Sequence, residues 1–147
     1  MNITTLNRKS WLPLGAALVF AFAAFGSYSS IAAAADIKVT LAGDQEVPPV
    51  KTDATGTGTI TVGADKSVRG SVTTKGIAGI AAHIHEAPAG KNGPVAIPLE
   101  KNGDTYTVPA NAKLTDAQFA SFKAGNLYVN VHSAAHPDGE IRGQLKP

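Results

Sequence analysis

The sequence predicts an all-β fold: a Greek-key β-sandwich or barrel with one short helix crossover. Two observations carry this. From residue 36 onward the chain consists of short runs rich in Val, Ile and Thr, separated by Gly, Pro, Asn and Asp. About eight such runs recur with turn residues every 8–12 positions or so, the spacing of sandwiches and barrels. The Gly, Thr and Val content rules out a helical bundle.

The elements follow in order. "DIKVTLAG" alternates, placing Ile37, Val39 and Leu41 on one face. In "QEVPPV", Pro48 and Pro49 cannot donate to a ladder, so this stretch is expected to be a rigid extended cover over a sheet edge. "TGTGTITV" and "SVRGSVTT" flank "GADK" and read as a hairpin with Ile60 and Val62 inward. "GIAAHIHE" is the next strand, and "PAGKNGPV" a turn-rich loop. "VAIPLE" and "TYTVP" read as short strands around the turn "KNGD".

One segment has helical spacing. In "KLTDAQFASFKAGN", Thr115 can cap the N-terminus and Gln118 can complete a capping box. Leu114 and Phe119 occupy staple positions, Phe119 and Phe122 share a face, and Gly125 can end the helix after about two turns. "NLYVNVH" and "EIRGQL" then pair as the last strands across "SAAHPDG".

Residues 1–35 are expected to lie outside the fold. Arg8 and Lys9 precede the apolar run "WLPLGAALVFAFAAFG", and Ala33 and Ala35 stand ahead of Asp36. That order reads as a secretory signal peptide cleaved after Ala35, leaving residues 36–147 as one domain. The expected destination, by the Sec route, is a periplasm or the extracellular medium, with no membrane association after cleavage. Without Arg8 and Lys9, the 13 Lys and Arg fall to 11 and match the 11 Asp and Glu. A neutral domain with no basic stretch is not a nucleic-acid binder.

The chain has no cysteine, and its one methionine is Met1. The expected domain therefore contains no sulfur. Thiolate zinc, blue-copper and methionine copper(I) sites are excluded, and any metal must be held by imidazole and oxygen.

The four histidines fall in two short stretches, "HIH" and "HSAAH". On a strand, His83 and His85 point to one face while Ile80, Ala82 and Ile84 point to the other. Alternate residues lie about 7 Å apart, close enough for two imidazoles to converge on one ion. His132 is the best third ligand. It ends a strand on the face it shares with Tyr128 and Asn130. His136 and Glu140, in the turn that follows, are possible additional ligands, although His136 also reads as a solvated turn residue. Imidazole-rich sites suit copper and zinc, which spacing does not separate; copper is favoured here, zinc the alternative. A water-activating zinc would have Glu86 or Glu140 as base. No nucleophile or defined acid–base pair stands out, and "HIHE" is not the zincin motif, so the reading leans away from an enzyme. Glu140 and Arg142, two residues apart, are expected to pair and lock the final strands.

"LAGDQEVPPVKTDATGTG", "AAHIHEAPAGKNGPV", "LTDAQFASFKAGNLYVNVHS" and "HPDGEIRGQL" together resemble the CHRD domain, the module named after chordin, over Leu41 to Leu145. By that resemblance His83, His85 and His132 match histidines of the family pattern, as Asn130, Glu140 and Arg142 match its other positions; His136 departs from it. The place of the domain in chordin, an extracellular antagonist of bone morphogenetic proteins, implies binding rather than chemistry. "HIHE" before a glycine-rich loop is also similar to the copper-binding strand of copper/zinc superoxide dismutases. The fold implied is superoxide dismutase-like or immunoglobulin-like. Three functions are thus open: an exported copper-binding module, a metal-free module binding an envelope or extracellular protein, and a superoxide dismutase-like oxidoreductase, for which no bridging histidine can be placed.

Overall fold

The computed structural model describes Met1 and residues 34–147. The expected leader, apart from its ends, lies outside the described residues. Among the described residues nine strands form one antiparallel sheet: β1 (Ala35–Ala42), β2 (Thr55–Val62), β3 (Val68–Lys75), β4 (Gly79–Glu86), β5 (Val95–Pro98), β6 (Glu100–Asn102), β7 (Thr105–Thr107), β8 (Leu127–Ser133) and β9 (Ile141–Leu145). One helix, α1 (Asp116–Lys123), crosses between β7 and β8. No helix among them is long and apolar enough to cross a membrane.

The strand order is β5-β4-β8-β9-β1-β2-β3-β7-β6. The first strand pairs with the last, as Greek-key connectivity requires, and β1 lies between β9 and β2. The two ends of this order are one stretch of chain. β5 and β6 are separated only by Leu99, with β5 on β4 and β6 on β7. The Leu99 N–H donates to the Ala82 carbonyl at 3.0 Å, so the edges are drawn together into a nearly closed barrel. Closure removes the free edges on which other chains could add.

The interior follows from alternation. In β1, Ile37, Val39 and Leu41 are buried while Asp36, Lys38 and Thr40 are exposed. Leu41, Ile60, Val72, Val129 and Ile141 are wholly inaccessible at the centre of the core. Each such side chain contributes roughly 1.5–3 kcal/mol from burial. β2 and β3 approach so closely that a Cβ at Gly58 would lie 2.1 Å from the Ser71 carbonyl oxygen.

The helix forms as its sequence dictates. The Thr115 hydroxyl accepts from the Gln118 N–H at 3.2 Å, and the Gln118 side chain accepts from the Thr115 N–H at 2.9 Å. Gly125, at φ +75°, stops it. The Ser121 hydroxyl donates to Glu86 Oε1 at 2.6 Å, tying the helix to the end of β4.

Two expectations need correction. The "EVPPV" segment does not cover a sheet edge, because β1 has a neighbour on both sides. It folds instead over the outer face of the barrel and turns Glu46 inward, leaving it 4% exposed. Nor do Glu140 and Arg142 pair. Only Arg142 belongs to β9, and the Glu140 carboxylate accepts from Thr52 and Ser133.

Candidate metal centre

β8 is buried along its whole length, on both faces. Leu127, Val129 and Val131 enter the core. Tyr128, Asn130 and His132 face outward, yet they too are buried. Register extends this outer face across three strands: His85 lies opposite Tyr128 and then Gln144, and His83 opposite Asn130 and then Arg142. His132 pairs with Ala81. A polar layer is thus assembled on the outside of the barrel.

Three connections seal it. The loop after β4 supplies the Gly93 carbonyl to His85 and the Pro88 and Lys91 carbonyls to Arg142. The turn before β9 supplies the Pro137 carbonyl to His132. The segment after β1 supplies Glu46, and its Val47 carbonyl accepts from Asn92 at 2.7 Å, joining two of the covers. Backbone carbonyls, which no residue pattern specifies, do most of the positioning.

Within this layer His83, His85 and His132 each present a ring nitrogen, and the three lie within 4.8 Å of one another. Their tautomers follow from the partners. A carbonyl can only accept, so the His85 Nδ1–H donates to Gly93 at 2.9 Å and the His132 Nδ1–H to Pro137 at 2.9 Å. When neutral, each of these rings therefore carries its lone pair on Nε2. The His132 Nε2 accepts from His83 Nδ1 at 2.9 Å. The His85 Nε2 is buried and has no partner. A carbonyl behind each of two ring N–H groups is the outer-shell arrangement that orients metal-binding imidazoles.

Burial disfavours the charged form of His83 and His85. His85 and His132 are 9% and 8% exposed, whereas His83 is only half-buried and opens the cluster to solvent. Burial, then the neighbouring His132 and His85, holds His83 below the ordinary histidine range. Burial does the same to His85, partly offset by the Gly93 carbonyl. Neutral imidazoles are the form that binds metal. Tyr128 stacks on His85 with ring centroids 4.9 Å apart and 6° between planes, preventing the ring from turning away.

The further candidates are placed elsewhere. The trio of possible ligands among the described residues includes neither His136 nor Glu140. His136 sits in the turn after β8, where its backbone bonds to Ser133. Both Glu140 oxygens are taken by hydroxyls. Glu86 is engaged by Ser121. Sequence reasoning did not identify Glu46 as part of this layer. Its one sequence signal, a carboxylate beside two prolines, pointed to a surface segment.

No curated protein and no solved structure matches the chain. The CHRD domain profile matches residues 37–145. That span holds every strand from Ile37 to Leu145 and the whole histidine cluster, and the chain belongs to the CHRD domain family.

Proposed function

We propose that this CHRD domain is an exported metal-binding module whose His83, His85 and His132 hold a single ion, copper in preference to zinc. The observation that carries the reading is the convergence of three imidazole nitrogens within 4.8 Å, one of them the buried and unpartnered His85 Nε2. A buried acceptor without a donor costs about 1–3 kcal/mol, a cost that an ion removes. Copper(II) exceeds zinc at a given nitrogen site by the Irving–Williams order. Export is supported by the basic, apolar and small-residue order of the leader. Storage, delivery or a redox step of the ion are the roles such a site can serve.

The test is metal content. The full chain, carrying no affinity tag, is produced with its own leader, incubated with copper(II) or zinc, desalted and analysed by mass spectrometry. About one copper per chain is expected, lost in the His83→Ala, His85→Ala double variant while the fold survives.

A second reading, a metal-free module that binds an envelope or extracellular protein, draws on the His83–His132 hydrogen bond, which satisfies two of the three rings without an ion. Under it, wild type retains no metal and the same double variant only lowers the melting temperature.

A further inference from the structure

We propose that Asn130 supplies a fourth donor to this centre, its amide oxygen, and that the buried Glu46 carboxyl holds the amide in that orientation. The inference rests on the metal-binding reading above and extends it to two residues outside the histidine cluster.

Three buried side-chain atoms among the described residues have no hydrogen-bond partner: Glu46 Oε1, His85 Nε2 and Asn130 Oδ1. They are not scattered. Asn130 lies directly across the ladder from His83, between Tyr128, the partner of His85, and His132 on the same face of β8. Its side chain lies within hydrogen-bonding reach of His85. With His85 neutral, its Nε2 and Asn130 Oδ1 are both acceptors, so neither satisfies the other. What satisfies both is a cation coordinated by both, a water donating to both, or a proton carried on His85 Nε2.

The orientation of the amide is decided by what lies on its other side. Asn130 Nδ2 reaches toward the Asp138 carbonyl at 3.5 Å. A Cβ built at Gly139 would stand 2.7 Å from Asn130 Nδ2 and 2.5 Å from Glu46 Oε1, so the amide nitrogen and the carboxyl share one small space. Gly139, at φ +134°, leaves that space open. Turning the amide over would set its oxygen against the Asp138 carbonyl, which can only accept, and against Glu46, whose ionised form can only accept. The carboxyl and the carbonyl therefore keep nitrogen on their side and oxygen toward the histidines.

The chemistry is consistent. Three neutral imidazoles and one neutral amide oxygen make a nitrogen-rich, borderline donor set. It suits copper(II) or zinc and disfavours copper(I), which selects sulfur.

Copper(II) alone is the probe. Binding is measured by competition titration and coordination by electron paramagnetic resonance, in wild type and in Asn130→Leu, Asn130→Asp, Glu46→Gln and Glu46→Leu. Asn130→Leu is expected to keep one copper per chain with affinity reduced about 10–100-fold and a changed copper(II) spectrum. Asn130→Asp, which keeps an oxygen donor, recovers the affinity. Glu46→Gln, which keeps an oxygen able to face the Asn130 nitrogen, behaves as wild type, and Glu46→Leu as Asn130→Leu. Should Asn130→Leu fail to fold, hyperfine coupling to carbonyl-labelled asparagine in the wild-type copper protein reads the same bond. An Asn130→Leu protein with wild-type affinity and spectrum, or a wild-type spectrum without that coupling, overturns the inference, while copper loss in the double histidine variant still supports the metal site. A wild-type chain that retains no copper overturns both.

Discussion

Tyr128 is held between a histidine and an arginine: His85 stacks on its ring from β4, and the Arg142 guanidinium lies 3.4 Å from its ring centroid, reaching from β9 on the other side of β8. Arg142 is 1% exposed and, among the described residues, has no carboxylate within ion-pairing distance. Its charge is accommodated by the Tyr128 face and by four oxygens: Pro88 O, Lys91 O, Asn92 Oδ1 and Gln144 Oε1. This one side chain joins the end of the barrel to the loop that carries Gly93, and hence to the His85 ring.

Replacing it tests that role. Arg142→Ala leaves buried acceptors empty and removes the cation–π contact, and is expected to destabilise the fold by about 3–5 kcal/mol. Arg142→Lys retains the charge but not the planar fork that reaches four oxygens, and should cost about 1–3 kcal/mol. Urea denaturation measures both. A lysine variant as stable as wild type would show that charge alone, rather than the fork, matters.

Glu140 has a different job. It accepts from Thr52 at 2.8 Å and from Ser133, pinning the segment after β1 to the end of β8. Glu140→Ala strands two hydroxyls and should lower stability by about 1–3 kcal/mol. Copper stoichiometry should be unchanged, because the carboxylate is occupied away from the three rings. Loss of copper from a folded Glu140→Ala protein would return Glu140 to the ligand set.

Glu46 couples the fold to pH. Burial raises its pKa from 4.5 to about 7, against the opposing pull of Arg142. A carboxyl with a raised folded pKa favours the folded state while it is protonated. Its contribution is therefore full below pH 4.5 and is lost as pH rises to about 7. The expected loss, allowing for partial solvation, is on the order of 1–3 kcal/mol. Glu46→Gln should flatten this part of the stability profile and exceed wild type above pH 7. Thermal melts of both proteins from pH 4 to 8 decide it; parallel curves would mean that Glu46 is ionised in the fold.

Much of the site could be read before folding. The spacing of His83 and His85 puts them on one strand face whatever the tertiary structure, and the spacing of Tyr128, Asn130 and His132 does the same on another strand. That these two strands are neighbours is consistent with the sequence but not contained in it. Residues 95–102 illustrate the limit. Val95 to Glu100 read as one short strand and Lys101 and Asn102 as part of a turn, yet Leu99 divides the stretch between β4 and β7, because it closes the barrel. Glu140 and Arg142 mislead in the same way. Their spacing suggests a pair, but Glu140 precedes β9 and faces Thr52, which lies 88 positions earlier in the chain.

By itself the sequence determined the β class, the inward faces of the strands, the capped helix and the sulfur-free choice of ligands. All of these depend on local periodicity or on composition, which folding does not change. Only the tertiary structure decided which carbonyls orient the imidazoles, that Glu46 is buried beside Asn130, and that a polar layer on the outside of the barrel is covered except at His83. These depend on strand register and on the paths of three loops, and therefore on contacts between residues far apart in the chain.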